Sequence, residues 1–114
     1  MKIGLKRVYA APAKSDGCRV LVDRIWPRGL TKKAACIDYW LKDIAPSTAL
    51  RQWFAHDPEK WGEFRKRYFR ELKDNPVAVD QLRRLVRKGA VTLVFGAKDE
   101  KFNNAVALKE YLSR

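Results

Sequence analysis

Hydrophobic and polar residues follow one another in patterns that predict strands towards both ends of the chain. Residues 3–8, 19–24 and 91–95 are short, apolar or alternating stretches bounded by turn residues, which is typical of β-strands. The last of these is apolar at nearly every position, as expected of a strand buried on both faces. The stretch 37–41 fits either a strand or a helix, and its clustered aromatic residues favour a third strand.

Apolar residues that recur every three or four positions predict helices in the second half of the chain. Trp61, Phe64, Tyr68 and Leu72 form one such stripe. Four predicted helices begin at capping or turn residues: Ser47-Thr48, Asp57-Pro58, Asn75-Pro76 and Asn103-Asn104. Strands separated by helices predict an α/β fold, a single three-layer Rossmann-like sandwich over residues 1–114 with a small, largely parallel sheet of about four strands.

Composition restricts the class of protein further. The chain has 114 residues, 46% of them hydrophobic and 11% aromatic, which is enough for one packed core and excludes a disordered chain. No apolar run is long enough to cross a bilayer and no export signal is visible, so we expect a cytoplasmic protein without membrane association. Cys18 and Cys36 form no CxxC motif and should be reduced thiols, with Cys36 buried beside Ala35. With one histidine, they complete no zinc-binding pattern, so no metal and no cofactor are predicted.

The net charge of +12 is concentrated near the start of the chain. Residues 1–33 contain nine basic and two acidic side chains, against 25 basic and 13 acidic in the whole chain. A positive field of this kind attracts phosphates, nucleotides, nucleic acid or acidic proteins. The alternative is a solvated basic surface without a dedicated partner.

Two segments follow predicted strands and therefore belong to the carboxyl edge of the sheet, where ligands of open parallel sheets bind. They are residues 24–29 and 95–99, the second continuing to Asn103-Asn104. If the two strands are neighbours, Arg24 and Arg28 would clamp an anion, Trp26 would stack on it, and Lys98 with Asp99 would complete the pocket. The alternatives are that Trp26 covers the end of the sheet and that Arg24 pairs with Asp23 or Asp43.

Candidates for acid–base chemistry are few. His56 is the only histidine, and Asp57 beside it could orient it as a general base. Alternatively, His56 ends the preceding helix, where a cation is favoured by the helix dipole. Ser47 and Cys36 are possible nucleophiles and Asp99 is another possible acid or base, but no catalytic spacing connects them. Whether the protein is an enzyme stays open.

A nucleic-acid-binding module is the alternative function. The two middle helices each present a basic face, formed by Lys66, Arg70 and Lys73 and by Arg84, Arg87 and Lys88. These faces could follow a phosphate backbone. Exposed aromatic residues for base stacking are missing, because those of the first of these helices are predicted to be buried.

Several segments together resemble the DUF488 family, in its YeaO-like branch. The resemblance is carried by Arg19 to Gly29, which contains Trp-Pro-Arg-Gly, by Trp40 to Ser47, which contains Lys-Asp-Ile-Ala-Pro-Ser, and by stretches that reach Leu108. It implies a single small α/β domain of a family with no assigned reaction. The candidates it carries over are Arg24, Trp26, Arg28, Lys42, Asp43, Ser47, Lys98, Asp99 and Asn104.

One departure from the family weakens a catalytic interpretation. Relatives commonly begin the last helix with a His-Asn-His-like segment, whereas this chain has Phe102-Asn103-Asn104. The leading hypothesis is therefore a basic rim at the sheet's carboxyl edge that binds a phosphate- or carboxylate-bearing small molecule such as a nucleotide, with hydrolysis or group transfer as a further option.

Overall fold

A computed structural model describes residues 2–114 and contains a four-stranded sheet with helices on both sides. The strands are β1 (Ile3–Arg7), β2 (Cys18–Leu21), β3 (Tyr39–Trp40) and β4 (Val91–Phe95). The helices are α1 (Lys32–Ala35), α2 (Thr48–Phe54), α3 (Trp61–Lys73), α4 (Pro76–Lys88) and α5 (Asn104–Leu112). Short 3-10 turns lie at Lys14–Asp16, Lys42–Ile44 and Pro58–Lys60.

The strands are all parallel and lie in the order β1-β4-β2-β3. The central strand β4 pairs with β1 from Ile3↔Val91 to Arg7↔Phe95 and with β2 from Cys18↔Val91 to Leu21↔Val94. Every residue of β4 is buried, as its apolar sequence predicts. The carboxyl ends of β2 and β4 are therefore neighbours, and the segments that follow them start at the same edge of the sheet.

The two faces of the sheet are covered differently. Alternate residues of β2 and β4, such as Val20 and Leu93, share one core with residues of α2, α3, α4 and α5. The other face has a smaller core, in which Val8 and Val94 pack against Ala35 of α1 and against the loop that contains Trp26. The predicted three-layer α/β arrangement is confirmed, with one thick helical layer and one thin layer.

Capping explains where most helices begin. Thr31, Ser47 and Asn103 each accept a hydrogen bond from a backbone N–H of the first turn of α1, α2 and α5, respectively. Asp57 caps the 3-10 turn that runs directly into α3, and Pro76 is the first residue of α4. The four predicted helix starts are confirmed, and no helix of the described residues is long and apolar enough to cross a membrane.

Two local predictions need correction. The third strand comprises only Tyr39–Trp40, at the open edge of the sheet, instead of residues 37–41. The prediction that Cys36 is buried was wrong: Cys36 is exposed, because it ends α1 in the left-handed conformation, with φ of 51°. The residue that is fully buried at this point is the preceding Ala35.

Candidate functional site

A cleft of about 250 Å³ opens at the carboxyl edge of the sheet, directly beyond β2 and β4. Its residues come from six places: the segment after β2, the loop before α2, α2 with the turn that follows it, α3, the segment after β4 and the start of α5. They are Asp23, Arg24, Ile25, Ala45, Pro46, Arg51, Phe54, His56, Phe64, Gly96, Ala97, Asn103 and Asn104. The cleft thus lies where the rule for open parallel sheets predicts a ligand.

Three basic side chains line the cleft: Arg24, Arg51 and His56. The Arg24 guanidinium is half-buried and donates from Nε to Pro46 O at 3.3 Å and from Nη2 to Ala45 O at 3.2 Å. Within residues 2–114, neither arginine has a carboxylate oxygen within 4.0 Å, so the predicted alternative of an ion pair between Arg24 and Asp23 or Asp43 is wrong. Neither guanidinium therefore forms a close ion pair within residues 2–114, although the charge of Arg51 acts on the Asp23 carboxylate of the same cleft.

Asp23 supplies the carboxylate of the cleft. Its Oδ2 accepts a hydrogen bond from Gly96 N at 2.8 Å, and its Oδ1 accepts one from Asn104 Nδ2 at 3.1 Å. Burial raises the pKa of Asp23, and this effect outweighs the two hydrogen bonds and the charges of Arg51 and His56, which favour the ionised form. Asp23 therefore joins the two central strands to the start of α5 and takes up a proton more readily than an ordinary aspartate.

The remaining wall of the cleft is apolar. Phe54 and Phe64 are both buried, with ring centroids 4.4 Å apart in a stacked arrangement. Ile25 stands at the opening with 56% of its surface exposed. A small molecule in the cleft would therefore meet cations and amides on one side and aromatic carbon on the other.

His56 reaches the cleft through an unusual turn. Ala55 and His56 both have left-handed backbone angles, with φ of 48° and 58°. The turn is closed by Ala55 N donating to Arg51 O at 3.1 Å and Asp57 N donating to Phe54 O at 2.9 Å. Side chains other than glycine pay for this conformation, by roughly 1–2 kcal/mol each, and such strain is concentrated at functional sites.

Of the residues singled out from the sequence, Arg24, His56 and Asn104 line the cleft, and the others, which include Trp26, Arg28 and Lys98, do not. Trp26 donates from Nε1 to Leu30 O at 2.7 Å and packs edge-on against Trp40, which covers the thin side of the sheet. Arg28 and Lys98 are exposed and belong to neither cleft wall. The two segments therefore do meet in one cleft, to which they contribute Asp23 to Ile25, Gly96, Ala97, Asn103 and Asn104, while Trp26, Arg28 and Lys98 lie outside it.

Three of the candidates carried over from the family resemblance line a second, smaller depression. Ser47, Asp43 and Arg24 line this space of about 110 Å³, and Arg24 separates it from the main cleft. The Ser47 hydroxyl donates to Glu71 Oε2 at 2.6 Å and accepts from Leu50 N at 3.1 Å. Ser47 is thus occupied as a helix cap, away from His56, and Lys42 lies instead over the Trp40 ring at 5.3 Å.

Asp99 stabilises the loop before α5. Its carboxylate accepts hydrogen bonds from the backbone N–H groups of Lys101 and Phe102, which lower its pKa. Its carbonyl accepts from Asn103 Nδ2 at 2.8 Å. Asp99 therefore fixes the cap of α5, and it is absent from the residues that line the cleft.

Sequence reasoning missed Arg51, Phe54 and Phe64 as cleft residues, and treated Asp23 only as a pairing partner. Asp23 could have been predicted as a cleft residue, since an acidic residue that follows an apolar strand at the carboxyl edge lies where ligands bind. Arg51 could not have been predicted in this way, because its position depends on how α2 packs in the fold. No group of three or more metal-ligating side chains occurs within residues 2–114.

Comparison with known proteins identifies relatives over almost the full length. A family model described as "Inactive DUF488-N3 subclade" matches residues 2–114. The uncharacterized protein Rv3073c of Mycobacterium tuberculosis is 40% identical over 112 residues, which cover 98% of this chain and 94% of that protein. The uncharacterized protein YeaO of Escherichia coli is 39% identical over 112 residues, 98% of this chain and 97% of that protein. No solved structure matches.

Proposed function

Because this chain belongs to the DUF488 family, in the subclade described as inactive DUF488-N3, we propose that its cleft binds a small anionic molecule without converting it. The arrangement of Arg24 and Arg51 carries this proposal. Two guanidinium groups without a protein carboxylate partner line one cleft with His56, at the edge of the sheet where ligands bind. An anion that contacts both guanidinium groups would accept charge-assisted hydrogen bonds, which are stronger than the hydrogen bonds it accepts from water.

The other lining residues narrow the class of ligand. The first residues of α5, Asn103 and Asn104, belong to the cleft, and the amino end of a helix favours negative charge. Asp23 has lone pairs left to accept a hydrogen bond from a hydroxyl or amino group of the ligand. Phe54 offers an apolar wall. A phosphate- or carboxylate-bearing molecule with a hydroxyl and a flat or apolar part, such as a nucleotide, meets all of these groups.

Binding without turnover is favoured over hydrolysis or group transfer by the chemistry of the lining. Among the described residues, those that line the cleft include one carboxylate and one imidazole but no serine, threonine, cysteine or lysine. The nearest candidate nucleophile, Ser47, is held by Glu71. The family description as inactive supports the same conclusion.

Thermal unfolding in the presence of candidate ligands tests this function. The panel would contain inorganic phosphate, nucleoside mono- and triphosphates and dicarboxylates. A ligand at about 100 times its Kd adds about 2.7 kcal/mol to the free energy of unfolding and raises the Tm accordingly. If no anion in the panel raises the Tm, the proposal is wrong.

Arg51→Gln is the most informative variant for this experiment. Arg51 is exposed and its side chain makes no hydrogen bond within residues 2–114, so its replacement should leave the unliganded Tm nearly unchanged while it removes most of the ligand-induced shift. Arg87→Gln, exposed at the end of α4, makes the same charge change far from the cleft lining and should keep the full shift. Equal loss of the shift in both variants would indicate general charge attraction instead of a site.

A further inference from the structure

The thin side of the sheet carries two exposed aromatic rings that the cleft does not use. Trp40, in the edge strand β3, is 37% exposed, and Tyr9, just after β1, is 44% exposed. The loop that contains Trp26 and Arg28 connects them: Trp40 packs against Trp26, and Tyr9 hydrogen-bonds to Arg28. We call this surface, formed by Tyr9, Trp26, Arg28, Lys42 and Trp40, the aromatic–basic face.

Both rings are held in place by their polar atoms. Trp40 donates from Nε1 to Asp23 O at 2.7 Å, and its ring centroid lies 5.4 Å from that of Trp26 at an interplanar angle of 67°. The Tyr9 hydroxyl donates to Arg28 O at 3.0 Å. Rings that are already fixed lose little conformational entropy when another flat group stacks on them.

Positive charge surrounds these rings. Lys42 Nζ lies 5.3 Å from the Trp40 ring centroid, and Arg7 Cζ lies 5.1 Å from that of Tyr9. Arg28 is exposed, as are Lys32 and Lys33 of α1 on the same side of the sheet. Residues 1–33 hold nine basic side chains and two acidic ones, and both acids are already hydrogen-bonded within the protein, Asp16 to Lys6 and Arg19, Asp23 to Gly96 and Asn104.

We propose that the aromatic–basic face binds single-stranded nucleic acid. Base stacking on fixed aromatic rings, combined with lysine and arginine contacts to phosphates, is how such strands are held without sequence preference. Trp40 lies in the edge strand β3 and Tyr9 just after the opposite edge strand β1, and the loop that contains Trp26 and Arg28 contacts both rings, so an extended strand would follow this loop from one ring to the other. A duplex keeps its bases stacked internally and leaves these rings unused.

This face is distinct from the basic helix faces that the sequence suggested. Lys66, Arg70 and Lys73 of α3 and Arg84, Arg87 and Lys88 of α4 are exposed. The aromatic residues of α3 are buried or half-buried, however, and α4 contains none. The helix faces therefore offer charge alone, whereas the thin side of the sheet offers charge with stacking rings. Trp40 donates to the backbone carbonyl of Asp23, but no residue of the aromatic–basic face lines the cleft, so each proposal can fail without the other.

Fluorescence anisotropy with a labelled oligothymidylate of about 16 nucleotides tests the proposal. We expect Trp40→Leu, which keeps apolar volume but removes the aromatic face, to weaken binding about tenfold or more, whereas Trp40→Phe keeps most of it. The logarithm of the affinity should fall linearly with the logarithm of the salt concentration. The matching duplex should bind more weakly than the single strand. Tm values for each variant separate loss of binding from loss of folding.

Two charge-reversal pairs locate the surface independently of Trp40. Lys32→Glu with Lys33→Glu and Arg84→Glu with Arg87→Glu lower the net charge by the same amount at exposed positions. The first pair should weaken binding more than the second. The proposal is overturned if both pairs have equal effects, if the α4 pair has the larger effect, if folded Trp40→Leu binds as the wild type does, if the duplex binds equally well, or if no oligonucleotide binds at low salt.

Discussion

The Asp23 carboxylate accepts a 2.8 Å hydrogen bond from the backbone N–H of Gly96, although the two residues are 73 positions apart. This bond joins the segment after β2 to the segment after β4, at the floor of the cleft. A Cβ atom on Gly96 would stand 3.2 Å from Asp23 Oδ2, which is tighter than ordinary van der Waals contact. The floor therefore favours a residue without a side chain directly opposite the half-buried Asp23 carboxylate.

Replacing Gly96 with alanine should displace Asp23 and weaken its hydrogen bonds. We expect a loss of about 1 kcal/mol in the free energy of unfolding, together with weaker anion binding. Gly62 in α3 is the matched control, since a Cβ there meets nothing within 4 Å, so Gly62→Ala should leave stability unchanged or raise it by about 0.5 kcal/mol. Urea unfolding measures the free energy of unfolding of both variants. Equal effects of the two substitutions would contradict the close approach at Gly96.

The left-handed turn at the cleft provides a second prediction. Ala55→Gly should raise the free energy of unfolding by about 1 kcal/mol, because glycine adopts a φ of 48° without the clash that alanine makes. Ligand affinity should not change. His56→Gly should stabilise the fold similarly but weaken anion binding, because it removes a basic side chain from the cleft. Measurement of the Tm and the anion affinity of both variants checks these predictions. Unchanged affinity in His56→Gly would show that the imidazole does not contribute to anion binding.

Anion affinity should rise as the pH falls, because of Asp23. Its pKa is raised by burial, so it becomes neutral at a higher pH than an ordinary aspartate and the cleft then carries more net positive charge. Sulfate, whose charge is constant in this range, is a suitable ligand. In Asp23→Asn, affinity should already be high at neutral pH and change little on acidification. His56→Gln in both backgrounds separates the contribution of the histidine, and an unaltered pH profile in Asp23→Asn would contradict the prediction.

Acid stability should depend on a different carboxylate, Asp16 on the thin side of the sheet. Asp16 accepts from Lys6 Nζ at 2.8 Å and from Arg19 Nη1 at 2.7 Å. Hydrogen bonds from Lys6, the Ala13 backbone and Arg19 lower its pKa from 3.8 to about 2. Because the folded pKa is the lower one, this stabilisation is complete above 3.8 and is lost as the pH falls towards 2.

Asp16→Asn should cost about 3 kcal/mol at neutral pH, because it leaves the buried Arg19 without its carboxylate. Near pH 2 the wild type loses the same interaction, so the difference between the two proteins should shrink. Urea unfolding at both pH values measures this difference. A gap that stays constant with pH would show that the ion pair does not contribute as described.

Much of the fold could be predicted from the sequence because its signals are local. The apolar run of β4, the stripe of α3 and the caps at Ser47 and Asn103 each act within a few residues. The prediction for Cys36 was wrong because its apolar neighbours suggested burial, whereas Cys36 is the residue that ends α1 in the left-handed conformation and is exposed. The burial of β4 indicated a central strand, but its place between β1 and β2 depends on contacts that no local pattern records.

The cleft could be predicted only in part. The carboxyl-edge rule correctly predicted Arg24, which follows β2 closely, and Asn104, where the segment after β4 enters α5. Trp26 was predicted to stack on the ligand, but its indole N–H donates a hydrogen bond to Leu30 O, only four residues away. Arg51 enters the cleft because of how α2 packs against α3, a tertiary arrangement that spacing along the sequence does not predict. Residues near a strand end were thus predictable, and those that depend on helix packing were not.

Titration of the ¹⁵N-labelled protein with a nucleoside monophosphate, followed by amide chemical shifts, decides whether the cleft binds an anion. We expect saturable shifts that are largest for Arg51, Gly96, Ala97 and Asn104, and their loss in Arg51→Gln. Shifts confined to the basic faces of α3 and α4, or no saturable shift at the carboxyl edge of β2 and β4, would contradict this expectation.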